Sequence, residues 1–143
     1  MRMMLDLQEA KSAYADSDLV FVYGTLKNGY HNNPILGNSE YIGEYKTDKK
    51  FDLVNCSPKG GFPFLIAGNH SVIGEVYKVD NFYTLAYLDC LESHPYGYNR
   101  RLMDIEGLDK KVWYYFYPHD TERNKVTIEN VNGSLKWSYG KWR

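Results

Sequence analysis

Five consecutive apolar residues, Leu19 to Tyr23, stand between Asp18 and Gly24. A run this short, rich in β-branched and aromatic side chains and stopped by a glycine, is a buried strand. More short strand patterns follow it: Tyr41 to Tyr45, Phe51 to Val54, Phe64 to Ala67, Val72 to Val79, Arg101 to Ile105, Val112 to Tyr117 and Val126 to Val131. Asn132-Gly133 after the last of them is a strong hairpin turn signal. One strong helix interrupts the series. It is predicted from about Phe82 to Ser93, with Asp80-Asn81 as its cap and Pro95 as its stop. Many short strands with one helix point to an α+β domain, a curled or closed sheet with the helix packed against it.

Residues 1–17 are polar and mixed, with a weak helical pattern at Met4, Leu7 and Ala10, and read as a loose extension or a short surface helix. The domain organisation expected is therefore an N-terminal extension over 1–18 and a single domain over 19–143. A chain of 143 residues suits one core. Hydrophobic residues at 43% and charged residues at 24% fit a globular fold rather than disorder. The 14 tyrosines fit a strand-rich core with polar rims. A net charge of −1 gives no electrostatic reason to expect nucleic acid or a membrane surface as partner. No apolar run approaches the ~20 residues that span a bilayer.

Asp6, Glu9 and Lys11 interrupt any apolar core of a secretory signal, so a cytoplasmic location is expected. Cys56 and Cys90 leave a disulfide open, but two free thiols in a reducing cytosol are the favoured reading. Without a signal peptide, the glycosylation triplets at Asn69 and Asn132 read as chance matches. The tail from Leu135 to Arg143 mixes cations with aromatics. It can stack on single-stranded nucleic acid, close the sheet as a last strand or form a partner-binding edge, and packing is the favoured reading.

On a wheel with about 100° per residue, with Leu85 at zero, Leu88 falls near −60° and Glu92 near −20°. Glu92 thus projects from the middle of the apolar stripe. Desolvation there, and the negative end of the helix dipole, both raise its pKa toward the range useful for proton transfer. A frayed end that turns Glu92 out to solvent is the competing reading. Asp89, near +40° on the same wheel, is a rival carboxylate and a candidate partner for Arg100 or Arg101. Cys90 falls near +140°, off the stripe, and reads as a small neutral filler rather than a nucleophile.

A strand that ends in Tyr23-Gly24-Thr25-Leu26 can present successive N–H groups to one point, a nest for a carboxylate or phosphate. It is not a phosphate-binding P-loop, since the second glycine and the Gly-Lys-Ser/Thr ending are missing. The histidines His31, His70, His94 and His119 have no zinc-site spacing, and no Cys-x-x-Cys accompanies them. His94 is close enough in sequence to tune Glu92, though a solvent-facing loop histidine is the plainer reading.

Taken together, four segments in order resemble the γ-glutamylcyclotransferase superfamily, most closely its γ-glutamylamine cyclotransferase branch. They are Val-Tyr-Gly-Thr-Leu-Lys at 22–27, Phe-Pro-Phe-Leu-Ile-Ala-Gly at 62–68, Gly-Glu-Val-Tyr-Lys-Val-Asp at 74–80, and Leu-Asp-Cys-Leu-Glu-Ser at 88–93 with Tyr98 and Arg100 behind it. The likeness spans roughly residues 19–118 and thins at both ends. It implies a small closed or nearly closed mixed β-barrel with flanking helices. It implies Glu92 as catalytic acid/base, and Tyr23, Gly24, Thr25, Leu26 and Tyr98 as substrate-binding residues. The reaction implied converts a γ-glutamyl amide such as γ-glutamyl-ε-lysine to 5-oxoproline and a free amine, with no metal and no cofactor. The partner expected is that small-molecule substrate, and the chain a monomer or small homo-oligomer. Phe62-Pro63-Phe64, beside a Gly-rich loop, is expected near the site, where it can set leaving-group preference. The alternative is a non-catalytic binding module that holds a small acidic ligand in the same pocket.

Overall fold

β1 (Leu19–Val22) is buried at all its positions because both faces of its sheet are covered. Leu19 and Phe21 enter one apolar cluster, and Val20 and Val22 enter another, as the period-two geometry of a strand requires. The computed structural model describes residues 6–30, 32–48, 50–55, 63–91, 99–116 and 128–137. The sequence expectations for His31, Cys56, Phe62, Glu92, His94, Tyr98, His119 and residues 138–143 therefore lie outside the described residues.

β2 (Glu40–Lys46), β3 (Phe51–Asn55), β4 (Pro63–Ala67), β5 (Ser71–Lys78), β6 (Asn99–Met103), β7 (Val112–Phe116), β8 (Ile128–Val131) and β9 (Ser134–Trp137) follow β1. A mixed seven-stranded sheet runs in the order β6-β7-β1-β5-β9-β8, with β2 also paired to β5. β1 lies antiparallel to β5, from Leu19 opposite Lys78 to Val22 opposite Glu75, and parallel to β7 at Val20 and Trp113. β3 and β4 form a separate hairpin with Leu53 opposite Leu65, joined to the start of β5 through a bridge between Phe51 and His70. The β3–β4 hairpin puts Phe51, Leu53 and Leu65 into the apolar cluster that holds Leu19 and Phe21.

Two backbone devices shape this sheet. A Cβ on Gly74 would come within 2.5 Å of the Val22 carbonyl oxygen and 2.6 Å of the Phe21 ring, so glycine lets Phe21 fold across β5. Asn132 and Gly133 take φ of 52° and 87°, the left-handed conformations of a two-residue hairpin, and turn β8 into β9.

The helices cover the face that carries Val20 and Val22. Of the two readings for the N-terminal residues, the structure has a helix. α1 (Leu7–Asp16) is capped by Asp6, whose carboxylate accepts from the Glu9 N–H at 3.0 Å. Its small inner residues Ala10 and Ala13 are buried and let it sit close to α2 (Phe82–Leu91). α2 starts at the expected place, with the Thr84 N–H donating to the Asn81 side chain at 3.1 Å. Leu85, Leu88 and Asp89 face inward, and Tyr83 and Tyr87 face out, as the wheel requires. No helix among the described residues is long and apolar enough to cross a membrane.

Candidate active site

The turn after β1 is held by main-chain bonds and by the side-chain amides of Asn32 and Asn33. The Lys27 N–H closes it onto the Gly24 carbonyl at 3.0 Å, which places Thr25 and Leu26 at the two corners. Thr25 is tied down twice by Asn32: its hydroxyl accepts from the Asn32 side chain at 2.8 Å, and its carbonyl accepts from the Asn32 N–H at 3.0 Å. The Leu26 carbonyl takes the Asn33 side-chain amide at 2.9 Å, while its side chain is buried. The Asn28 N–H goes to Glu75 at 2.7 Å, and the Tyr77 hydroxyl donates to the same carboxylate oxygen at 2.9 Å. Burial, then the hydrogen bond to Glu75 and its charge, push the Tyr77 phenol well above the ordinary tyrosine value. Among the described residues, no turn or loop hydrogen bond uses the N–H of Gly24, Thr25 or Leu26. Three successive N–H groups on a rigid turn are the material of an anion nest.

Glycine is required at position 24 for space. A Cβ there would come within 2.7 Å of Pro63 Cγ, so the first residue of β4 lies directly against the turn. Of the 62–64 segment expected near the site, Pro63 is the residue seen against Gly24. Tyr23 is buried, and its hydroxyl donates to the Tyr115 carbonyl on β7 at 2.6 Å. Its phenol therefore fastens the turn to the sheet. Lys27 is buried too, and its ammonium donates to the Trp137 carbonyl at 2.6 Å beside the Tyr30 ring. The described part of the tail is thus a strand whose Trp137 packs on Tyr30, with ring centroids 5.3 Å apart.

The end of α2 reaches the same place. Leu26 from the turn, Val22 from β1, Leu85 and Leu88 from α2 belong to one apolar cluster, and Leu91 packs against it. Leu91 is the residue immediately before Glu92. The turn and the last described turn of α2 thus border one apolar cluster. Glu92 and Tyr98 themselves lie outside the described residues.

Asp89, the rival carboxylate, is committed elsewhere. Arg100 on β6 grips it with Nε at 2.7 Å and Nη2 at 2.9 Å, and the Tyr115 hydroxyl donates to the same carboxylate. Arg100 Nη2 also reaches Glu9 on α1, and its guanidinium lies 4.6 Å above the Trp113 ring. Burial works against the guanidinium charge, but the bonds to Asp89, its charge, and the fields of Tyr115 and Glu9 outweigh it and hold Arg100 above its ordinary pKa. The sequence offered Arg100 and Arg101 as equal partners for Asp89. Strand alternation decides between them: Arg100 points inward at 8% exposure, and Arg101 lies outward over the Phe116 ring. Sequence reading missed Glu9 and Tyr115; β7 is an unbroken apolar run buried at Val112, Trp113, Tyr114 and Tyr115 alike, so its pattern does not single out Tyr115.

The remaining candidates lie apart. Cys90 is a half-buried free thiol. His70 pairs with Asp52 at 3.0 Å beside the β3–β4 hairpin. Among the described residues, no three His, Cys, Asp or Glu side chains come together as a metal site. A surface groove of about 540 Å³ lined by Glu44, Tyr45, Lys46, Ile73, Glu106 and Gly107 shares no residue with the turn.

Comparison with known proteins agrees with this geometry. Residues 20–143 match the family described as gamma-glutamyl cyclotransferase, AIG2-like. A putative gamma-glutamylcyclotransferase of Vibrio cholerae is 42% identical over 112 residues, covering 78% of this chain and 91% of that protein. One of Methanocaldococcus jannaschii is 40% identical over 108 residues, covering 71% of this chain and 85% of its own. The crystal structure of an AIG2-like protein from Mus musculus superposes with a TM-score of 0.58 at 25% identity, covering 88% of this chain and 98% of that one. The chain therefore belongs to the AIG2-like gamma-glutamyl cyclotransferase family, and is an enzyme of the gamma-glutamylcyclotransferase type.

Proposed function

We propose that the protein is a γ-glutamylamine cyclotransferase, which converts a γ-glutamyl amide such as γ-glutamyl-ε-lysine to 5-oxoproline and a free amine. The observation that carries this reading is that the turn at 24–26 and the helix that leads into Glu92 border one apolar cluster, and that among the described residues no turn or loop hydrogen bond uses the N–H groups of Gly24, Thr25 and Leu26. The N–H groups of Gly24, Thr25 and Leu26 receive the substrate's α-carboxylate, and the helix end brings a carboxylate to its α-amine.

An α-amine titrates near ~8, so at neutral pH it is mostly protonated and inert. Glu92 takes a proton from the α-ammonium. The freed nitrogen lone pair attacks the γ-carbonyl carbon, and the new C–N bond closes a five-membered ring. The carbonyl oxygen becomes an oxyanion, stabilised by the Tyr98 hydroxyl or a backbone N–H. Collapse of the tetrahedral centre breaks the bond to the leaving nitrogen, which receives a proton from Glu92; the ring nitrogen gives up its second proton to the departing amine, which leaves as an ammonium. Ring closure is intramolecular, so holding the carboxylate, and with it the amine, supplies much of the acceleration. No step calls for a cofactor. Pro63 is set against Gly24, beside the proposed carboxylate holder.

A substrate panel tests this directly. γ-Glutamyl-ε-lysine, γ-glutamyl dipeptides and glutathione are each incubated with the protein and scored for 5-oxoproline. Release from the ε-lysine amide, with the γ-glutamyl dipeptides and glutathione poorer, is expected. Silence across the panel, with tight binding of another small acid, would instead support a binding module.

A further inference from the structure

We propose that Glu75, Tyr77 and Asn33 form a hydrogen-bonded relay that sets the orientation of the Gly24 turn, and that Glu75 is a positioning residue for binding of the substrate's α-carboxylate. The inference rests on the role given above to the N–H groups of that turn. Glu75 stands opposite Val22, the last residue of β1, in the antiparallel ladder. Directly opposite residues share a face of the sheet, so the Glu75 side chain projects beside the turn that β1 enters. The Asn33 amide donates to the Leu26 carbonyl at 2.9 Å and to the Tyr77 hydroxyl at 3.1 Å. The Tyr77 hydroxyl donates to Glu75 Oε1 at 2.9 Å, and the Asn28 N–H donates to the same oxygen at 2.7 Å. The relay thus starts on the Leu26 carbonyl and returns to the chain at the Asn28 N–H.

A peptide unit is planar, so holding one end of it fixes the direction of the other. The relay holds the Leu26–Lys27 unit by its carbonyl and the Lys27–Asn28 unit by its N–H. The unit before them carries the Leu26 N–H, and it is held by its Thr25 carbonyl on the Asn32 N–H at 3.0 Å. A turn built of backbone gives few side chains any hold on it. Asn32 grips the Thr25 end, and the relay grips the other. Stability does not account for a carboxylate at position 75. Glu44 lies directly opposite it in the β2–β5 ladder, and like charges so placed are destabilising. Geometry does account for it, because bonds to a charged acceptor are shorter and stronger than neutral ones. One such oxygen ties Tyr77 and the Asn28 N–H to a single point.

The test measures kcat and KM for 5-oxoproline release from γ-glutamyl-ε-lysine, with Tm, in Glu75→Ala, Glu75→Gln and Tyr77→Phe. Glu75→Ala is expected to raise KM roughly 10-fold with kcat within about 3-fold, because a loosened turn loses binding common to ground and transition states. Glu75→Gln keeps an acceptor oxygen and should recover most of that loss. Tyr77→Phe breaks the relay at its middle and is expected to raise KM by about 3-fold. Ile105→Ala, a buried site in the other apolar cluster, is the stability control, with a lower Tm and an unchanged KM. If Glu75→Ala does not fold, Glu75→Gln and Tyr77→Phe carry the test, and a raised KM in Tyr77→Phe is the result expected. Folded Glu75→Ala with the wild-type KM, or with its loss in kcat, would overturn the proposal. So would Glu75→Gln as poor as Glu75→Ala, or a KM below wild type in either, which would mean that the charge only repels the substrate. Gly24→Ala run in parallel separates the two ideas. A raised KM there beside an unchanged KM in Glu75→Ala removes only the relay, whereas an unchanged KM in Gly24→Ala removes the turn as the carboxylate holder.

Discussion

The Gly24 turn and the end of α2 meet in one apolar cluster but are built on opposite principles. The turn is defined by backbone. Its shape comes from main-chain bonds, side-chain amides that satisfy carbonyls, and a missing Cβ against Pro63. The end of α2 is defined by side chains, through the pair of Asp89 with Arg100 and its supports Tyr115 and Glu9. A site of the first kind tolerates many side-chain changes around it and presents N–H groups that need no tuning. A site of the second kind depends on individual atoms, and each of them is a place to break it.

That contrast orders the expected effects of mutation. Arg100→Met leaves the Asp89 carboxylate without its buried partner and should cost about 3 kcal/mol or more of unfolding free energy, read from urea denaturation. Gly24→Ala should cost less, about 1–3 kcal/mol, because the new methyl meets a proline ring rather than a charge. Its second effect is specific to the turn: KM for the γ-glutamyl substrate should rise more than kcat falls. If Gly24→Ala leaves KM unchanged, the turn does not bind substrate.

The Tyr77–Glu75 contact, which secures the turn just beyond Lys27, gives a pH-dependent prediction. The folded protein keeps the Tyr77 phenol neutral above its ordinary value of about 10, for burial and Glu75 both oppose the phenolate. The stability this supplies is whole below that pH and is lost as the pH rises past it. Thermal unfolding followed upward from pH 9 should therefore show a decline that is shallower in Tyr77→Phe. At the small end, Lys111→Ala removes an exposed ion pair to Asp104 and should shift stability by no more than about 0.5 kcal/mol.

The same contrast explains what could be read from the chain alone. Strands, hairpin turn and helix follow from short-range pattern, and the strand and helix boundaries agree to within two residues where they are described. The turn was legible because a glycine after a buried run is a local signal. The identity of Asp89's partner was legible only as a choice between Arg100 and Arg101. The supports of that pair were not legible. Glu9 comes from a helix whose polar sequence shows a weak apolar face, and it meets Arg100 across 91 positions. The Pro63 contact on Gly24 is likewise a product of the hairpin's docking, which no local pattern announces.

The central claim is that a carboxylate delivered by the end of α2 moves the proton that releases the α-amine held at the turn. Glu92→Gln tests it most directly, because the amide keeps the size of the side chain and removes only its ability to take a proton. The variant should unfold at the wild-type Tm, bind the γ-glutamyl substrate, and release 5-oxoproline at least ~1,000-fold more slowly. A folded Glu92→Gln that releases 5-oxoproline at the wild-type rate would contradict the account.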